Sequence, residues 1–285
     1  MSELLVPFAY EYMVKAMWVS ALVGGLCAFL SVFLMLKGWS LMGDALAHAI
    51  VPGVALAYML KLPYAAGAFV AGILAALGMA VVKQRTRLRE DAVIGLVFTA
   101  FFAAGLLMVS LNPTSVNVQS IVLGNILGIS DEDAMQVVIV AVVSLAILLL
   151  KWKDLLVTFF DESHARSIGI DPTRIKILFF ALLAGATVTA LQTVGACLVI
   201  AMVVTPGATG YLLTDRFARL LAISVAIGAS TSFLGAYLSY FLDGATGGVI
   251  VTLQTLVFLA AFLWAPKHGL LAQRRMSATV EAPKP

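Results

Sequence analysis

Residues 13–36 have the sequence MVKAMWVSALVGGLCAFLSVFLML, an apolar run interrupted by one charge at Lys15. A helix needs roughly 20 apolar residues to cross the hydrocarbon core of a membrane, so this run is long enough to form a span. The rest of the chain has the same character: of 285 residues, 62% are hydrophobic and 12% are charged. Soluble domains are about one quarter charged. The composition therefore indicates a polytopic membrane protein.

The other apolar runs predict an all-α polytopic integral membrane protein of eight or nine transmembrane helices, with a single transmembrane domain over residues 1–285. The count is eight if 174–213 forms one crossing plus a re-entrant piece. The first run lacks the basic segment and cleavage site of a signal peptide, so we expect it to remain as a span. Cys27 and Cys197 lie in apolar runs and are interpreted as packing residues. The predicted spans are 13–36, 41–60, 63–82, 92–110, 133–150, 174–191, 195–213, 217–241 and 246–265.

The distribution of charge predicts the orientation of these spans. The loop 83–89 is the most basic one in the chain. Because cytoplasmic loops carry an excess of Lys and Arg, this loop is expected to be cytoplasmic. Asp131, Asp133 and Asp243 then fall on the external side. With nine crossings, the N-terminus is external and the tail, about 266–285, is cytosolic.

Two residues with metal-ligating side chains, Asp44 and His48, lie four residues apart inside the second apolar run. Residues i and i+4 of a helix share a face, so the carboxylate and the imidazole are expected to point the same way. Ionisable groups inside a membrane are costly and usually mark an ion or substrate path. An alternative is a carboxylate that caps the helix start, with a hydrogen-bonded buried histidine.

The largest polar insert, about 152–176, lies between two spans. Asp161 is predicted to cap a short helix that Gly169 ends, and Asp171-Pro172 is predicted to begin the next element. A short cytosolic helix of this kind is suited to dock a partner. From composition alone, a plain connecting loop is an equal alternative.

Three other features of the sequence are candidates for a gate or for the path of the transported ion. Pro206, followed by Gly207, is expected to bend or break its helix, which should then lie inside the bundle. Asn125 and Gln192 are polar groups that either touch a hydrated ion or form hydrogen bonds between helices. The run 121–129 is too short to span and predicts an external helix, either near the gate or as a cap over the bundle.

Six segments, in this order and spacing, give the chain a resemblance to a known family. The first is LKGWSLMGDALAHA at residues 36–49. The chain resembles the permease subunits of ABC importers for manganese, iron and zinc, and most of all those of the chelated-iron/manganese systems of the YfeD and SitD type. The resemblance covers roughly residues 10–272. The six segments are 36–49, 87–92, 110–117, 160–166, 204–209 and 243–248.

The resemblance implies a site and a set of partners. It assigns Asp44 and His48 to the translocation path as metal ligands, and Glu162, Ala165 and Gly169 to the segment that seats in the ATPase. The permease is expected to pair with a second copy or a paralogous permease and to sit on cytosolic ATPase subunits in the bacterial inner membrane. An external metal-binding protein is expected to deliver the cargo, Mn²⁺ or Fe²⁺, with Zn²⁺ as a further candidate. No permanently bound cofactor and no nucleic acid is expected, because ATP binds the partner subunit.

Two other functions compete with this one. An ion-coupled secondary transporter acting without an ATPase typically has inverted repeats with paired interrupted helices. The sequence shows one Pro-Gly break, at 206–207, and no convincing twin. An intramembrane enzyme would need a His-Glu-x-x-His helix or a Gly-x-Ser-x-Gly elbow, and the sequence contains neither. The sequence therefore favours the permease of an ATP-driven importer of divalent metal.

Overall fold

The computed structural model describes residues 3–39, 41–111, 126–195, 198–265 and 269. Within these ranges every regular element is helical. Short 3-10 helices cover Glu3–Ala9 and Ile126–Gly128. The α-helices are α1 (Glu11–Lys37), α2 (Met42–Ala49), α3 (Val51–Met59), α4 (Tyr64–Arg85), α5 (Glu90–Leu111), α6 (Asp131–Phe160), α7 (Glu162–Ser167), α8 (Pro172–Val194), α9 (Val199–Leu213), α10 (Phe217–Leu242) and α11 (Thr246–Trp264).

Among the described residues, 8 helical segments are long and apolar enough to cross a membrane. The all-α polytopic fold predicted from hydropathy is therefore confirmed. The second segment consists of α2 and α3, which meet at Ile50. Pro52 has no N–H to donate to the carbonyl of His48, four residues earlier, so a continuous helix would lack a bond at this point.

Whether the chain has eight or nine spans depends on whether the short helix α9 is counted as one. Its 15 residues extend only about 22 Å at 1.5 Å per residue, against roughly 30 Å of hydrocarbon. Val194, at the end of α8, contacts Gly247 at the start of α11, whereas Gly210, near the end of α9, contacts Ser224 near the start of α10. The helix α9 therefore returns the chain to the end of the bundle where α10 begins. In the part of the chain that the structure describes, the bundle thus has 8 candidate spans and one shorter apolar helix.

The centre of the bundle is α1, which packs against α6, α8, α9 and α10. Phe33 on α1 is fully buried and contacts three other rings edge-on, those of Phe159, Phe179 and Phe217, with centroid distances of 5.4–6.2 Å. Such edge-to-face contacts are the favoured geometry of aromatic pairs. They join the ends of four helices at one end of the bundle, here named the basic end because the basic loop 83–89 and α7 also lie there.

The predicted end of the fifth span, residue 150, is wrong, because α6 continues to Phe160. Lys151 and Asp154 form an ion pair one turn apart, with 2.9 Å between Nζ and Oδ2. Leu155 and Phe159 are buried, so the extra turns pack on the bundle although they carry charges. The connection between α6 and α8 is consequently shorter than the insert of about 152–176 predicted from the sequence.

Pro206 does not break α9, which runs as one helix from Val199 to Leu213. The hydroxyl of the buried Ser31 on α1 donates to the carbonyl of Val204 at 3.0 Å and accepts from the N–H of Gly207 at 2.9 Å. These bonds pair backbone groups on both sides of the proline, where helical bonding is interrupted. The predicted position of this helix inside the bundle is confirmed, since Pro206 and Gly207 are buried.

Ser31→Ala should lower the free energy of unfolding by about 1–3 kcal/mol, because it removes the hydrogen bonds to the carbonyl of Val204 and to the buried N–H of Gly207. The matched control is Ser20→Ala on the same helix. Ser20 is also buried, but its hydroxyl has no hydrogen-bond partner, so its loss should be neutral or slightly stabilising. Thermal unfolding of the two variants in detergent measures the difference. Equal melting temperatures for both variants would contradict the role given to Ser31.

Candidate metal path and coupling segment

Asp44 and His48 lie on one face of α2, as their spacing predicts. The other face of this helix is buried in the bundle through Ala45, Leu46 and Ala49. By contrast, the side chains of His48 and Asp44 are 26% and 36% exposed. The pair is therefore partly accessible within the second candidate span of a single chain.

The imidazole of His48 has a defined hydrogen bond. Its Nδ1 lies 3.0 Å from the carbonyl oxygen of Asp44 and 3.2 Å from Oδ1 of the same residue. A carbonyl oxygen can only accept, so Nδ1 carries the proton of the neutral ring and Nε2 retains the lone pair. Histidines that bind metals typically donate their other ring N–H to a carbonyl or carboxylate in this way. The geometry therefore suits coordination through Nε2.

Two aromatic residues of α5 pack against the imidazole of His48. The rings of Phe98 and Phe102 each have their centroid 5.4 Å from that of the imidazole, at interplanar angles of 79° and 82°. Phe98 and Phe102 were not among the candidate site residues predicted from the sequence. Their i, i+4 spacing placed them on one helix face, but only the packing of α5 on α2 shows that this face meets His48.

Among the described residues, no group of three or more His, Cys, Asp or Glu side chains is close enough to hold a metal ion. At this site, one chain therefore offers a metal ion two side chains, those of Asp44 and His48. Carboxylate and imidazole together suit Mn²⁺, Fe²⁺ and Zn²⁺. A cation held by only two such side chains would be bound weakly, as conduction along a path requires.

The segment from Asp161 to Asp171, here named the coupling segment because the resemblance assigns the ATPase contact to it, has the local structure predicted from the sequence. Asp161 caps α7 by accepting from the N–H groups of Ser163 at 2.8 Å and His164 at 3.1 Å. Gly169 has a φ of +84° and ends the helix. The N–H of Gly169 donates to Arg166, and that of Ile170 donates to Ala165, which is the bonding of a Schellman motif. At the start of α8, Asp171 caps the helix in the same way as Asp161 caps α7.

The three residues assigned to ATPase coupling occupy different environments. Ala165 is fully buried and packs inward. Glu162 forms an ion pair with Lys176 of α8, which ties α7 to the bundle. Gly169 is exposed, with open space where a Cβ would lie. Only Gly169 and part of Glu162 are thus available at the surface.

Of the predicted gate residues, Gln192 lines a cleft to which Asp44 and His48 do not contribute. Gln192 lies near the end of α8, and the open cleft, of about 890 Å³, is also lined by Lys61, Tyr64 and Asp133. Pro206 is buried against α1, and Asn125 lies outside the described residues. The role of these three residues as gate or path remains a prediction.

Comparison with known proteins identifies the family. The sequence matches the ABC 3 transport family over residues 9–265. The chain belongs to this family. It is 73% identical to the chelated iron transport system membrane protein YfeC of Yersinia pestis over 271 residues, which are 95% of this chain and 92% of that protein. It is 50% identical to the manganese transport system membrane protein MntB of Synechocystis over 273 residues, 95% of this chain and 88% of that protein.

A solved structure supports the same assignment for this ABC 3 family member. PsaBC from Streptococcus pneumoniae, determined in complex with Fab, has a TM-score of 0.85 and 33% sequence identity to this chain. The similarity covers 96% of this chain and 99% of that one. The resemblance inferred from the sequence motifs is thus confirmed, and the chain is a multi-pass membrane permease subunit of an ABC transporter.

Proposed function

We propose that this permease carries Mn²⁺ or Fe²⁺ inward across the bacterial inner membrane, with Asp44 and His48 as ligands along the path. The observation that supports this most is the geometry of His48: its Nδ1 lies 3.0 Å from the carbonyl oxygen of Asp44, and the pair is partly exposed within a candidate span. Relatives with 73% and 50% identity are named as iron and manganese transport proteins. Zn²⁺ accepts the same ligands and is a further candidate.

The remaining ligands are proposed to come from a second permease, either a copy of this chain or a paralogue, and from water. Two side chains from each of two subunits would make a shell of four at the interface. An incomplete, hydrated shell keeps binding weak enough for the ion to leave. This is the behaviour expected of a carrier.

The driving force is proposed to come from a separate ATPase that docks on the basic end around α7. Two large apolar side chains flank this helix and are exposed, Phe160 at 69% and Ile168 at 54%. Exposed apolar residues beside a capped helix suit a protein contact. An external metal-binding protein is proposed to deliver the ion at the opposite end.

Metal uptake by cells that lack their own importers tests this function. The cells express the permease with its ATPase, its binding protein and any paralogous permease, and Mn²⁺, Fe²⁺ and Zn²⁺ are offered in competition. We expect uptake that stops when the ATPase is inactivated by substitution, and the order of competition identifies the cargo. Uptake that continues with an inactive ATPase would instead indicate an ion-coupled secondary transporter. Absence of metal uptake by a verified, assembled complex would overturn the proposed cargo.

Gly169→Val should reduce the amount of ATPase that co-purifies with the permease by roughly tenfold. A β-branched residue at a φ of +84° is strained by about 1–2 kcal/mol, and about 1.4 kcal/mol corresponds to a factor of ten in binding. The matched control is Gly169→Asn, because Asn tolerates this conformation and a Cβ meets no atom within 4 Å here. Full ATPase recovery with Gly169→Val would show that the conformation at Gly169 does not matter for docking.

A further inference from the structure

We propose that Phe98 and Phe102 of α5 are positioning residues, which hold the imidazole of His48 so that Nε2 is the atom offered to the metal. This inference rests on the proposed function, in which His48 is a metal ligand. It explains how the imidazole of His48, at the surface of a helix, keeps a single orientation.

The two phenylalanines form one wall. Their rings are stacked on each other, with centroids 6.0 Å apart and an interplanar angle of 20°. The imidazole stands nearly perpendicular to both, at 5.4 Å from each centroid. Perpendicular packing is a favoured geometry for aromatic rings. Two such contacts restrict the plane of the imidazole.

The hydrogen bond to Asp44 fixes the remaining freedom of the ring. Rotation about the Cβ–Cγ bond by a half-turn would move Nδ1 away from the carbonyl of Asp44, which lies 3.0 Å from it. The same rotation would leave the ring in its plane against the phenylalanine wall, so the hydrogen bond to Asp44 selects which edge of the ring faces Asp44. With both constraints in place, Nδ1 faces Asp44, and Nε2 is left to coordinate a cation.

The backbone of α5 is held close enough to α2 and α3 to keep this wall in place. Gly105, on the same face of α5 as Phe98 and Phe102, touches the junction of these two helices. A Cβ on Gly105 would lie 2.8 Å from the nitrogen of Pro52 and 2.8 Å from Cγ1 of Val51. The glycine thus permits a contact that sets the distance between the phenylalanine wall and His48.

Leucine substitutions test this inference in the full transporter, reconstituted in vesicles with its ATPase and binding protein and supplied with Mn²⁺ alone. For Phe98→Leu and Phe102→Leu, we expect the half-saturating Mn²⁺ concentration to rise about three- to tenfold. The maximal rate should change less than about twofold, because leucine retains the apolar volume. Phe98→Tyr, which keeps the ring, should restore the wild-type value.

The chain offers a matched control in a second stacked pair, Phe258 and Phe262 of α11, with centroids 6.2 Å apart and an interplanar angle of 11°. Phe262→Leu removes one ring of that pair, which lies on α11 and not on α5, and should leave the half-saturating concentration unchanged. An increase of the same size in the control would show a general packing effect and would overturn the inference.

A spectroscopic measurement separates positioning from the proposed function. In the ¹⁵N-histidine spectrum of the complex at a pH where the ring is neutral, the signal absent from His48→Gln belongs to His48. We expect its proton on Nδ1 in the wild type and shared between both nitrogens in the Phe98→Leu/Phe102→Leu double variant. An unchanged tautomer in the double variant, or a wild-type proton on Nε2, would overturn the inference. Normal uptake by His48→Ala would instead overturn the proposed function.

Discussion

Asp44→Ala and His48→Ala are each expected to reduce metal uptake by roughly 100-fold or more, while the transporter still assembles. Loss of groups that merely orient a metal ligand already costs about 10–100-fold, so loss of a ligand itself should cost at least as much. Both side chains are partly exposed, whereas the packing face of α2 is formed by other residues. Truncation to alanine therefore removes the site and leaves the bundle intact.

The measurement is uptake of Mn²⁺ by cells, with the amount of co-purified ATPase as the check on assembly. Two controls remove the same chemical groups elsewhere. Asp243→Asn replaces an exposed carboxylate at a φ of +48°, a conformation that asparagine tolerates. His268→Ala removes a histidine of the predicted cytosolic tail. Both controls should transport normally. Wild-type uptake by Asp44→Ala and His48→Ala would mean that the ion takes another path.

Gly24→Leu and Gly228→Leu are expected to prevent formation of the folded permease. These glycines lie where α1 and α10 touch most closely. A Cβ on Gly24 would lie 2.5 Å from the carbonyl oxygen of Gly228, and a Cβ on Gly228 would lie 2.5 Å from the carbonyl oxygen of Gly24. Backbone atoms cannot move aside as side chains can. Overpacking of this kind costs on the order of 3 kcal/mol or more.

The neighbouring Gly25→Ala is the control for these variants, since its Cβ would lie 3.7 Å from Cβ of Ala229 and 3.8 Å from Cγ1 of Val225. These are ordinary van der Waals distances. Size-exclusion chromatography of detergent extracts, with a temperature series, compares the variants. We expect Gly25→Ala to elute and melt like the wild type, and the leucine variants to be recovered in low yield or aggregated. A wild-type profile for Gly24→Leu would show that α1 and α10 can separate without loss of the fold.

Several features were predicted correctly because their causes are local. Asp161 and Gly169 bound a helix through bonds that reach only a few residues along the chain. The i, i+4 spacing of Asp44 and His48 places them on one face in any α-helix. The division of the second span into α2 and α3 has an equally local signal in Pro52, which the sequence analysis did not use.

Other features have causes that a single segment does not contain. Ser31 supports α9 across a separation of 173–176 residues along the chain. Of the bend or break expected at Pro206, the break does not occur. The final turns of α6 carry charges that suggested a loop, yet Leu155 and Phe159 are buried against other helices. In both cases, contacts between distant segments outweigh the local preference.

The sequence alone determined the membrane class, the approximate position of most spans, the capped helix α7 and the shared face of Asp44 and His48. Hydrophobicity and hydrogen bonding along a helix depend on residues close in the chain, so these properties can be inferred from the amino-acid sequence. Only the tertiary structure decided that Phe98 and Phe102 face His48, that Ala165 is buried and that Gln192 lines a separate cleft. These facts depend on which helix faces pack together, which is set by the close fit of glycines and side chains from segments far apart in the sequence.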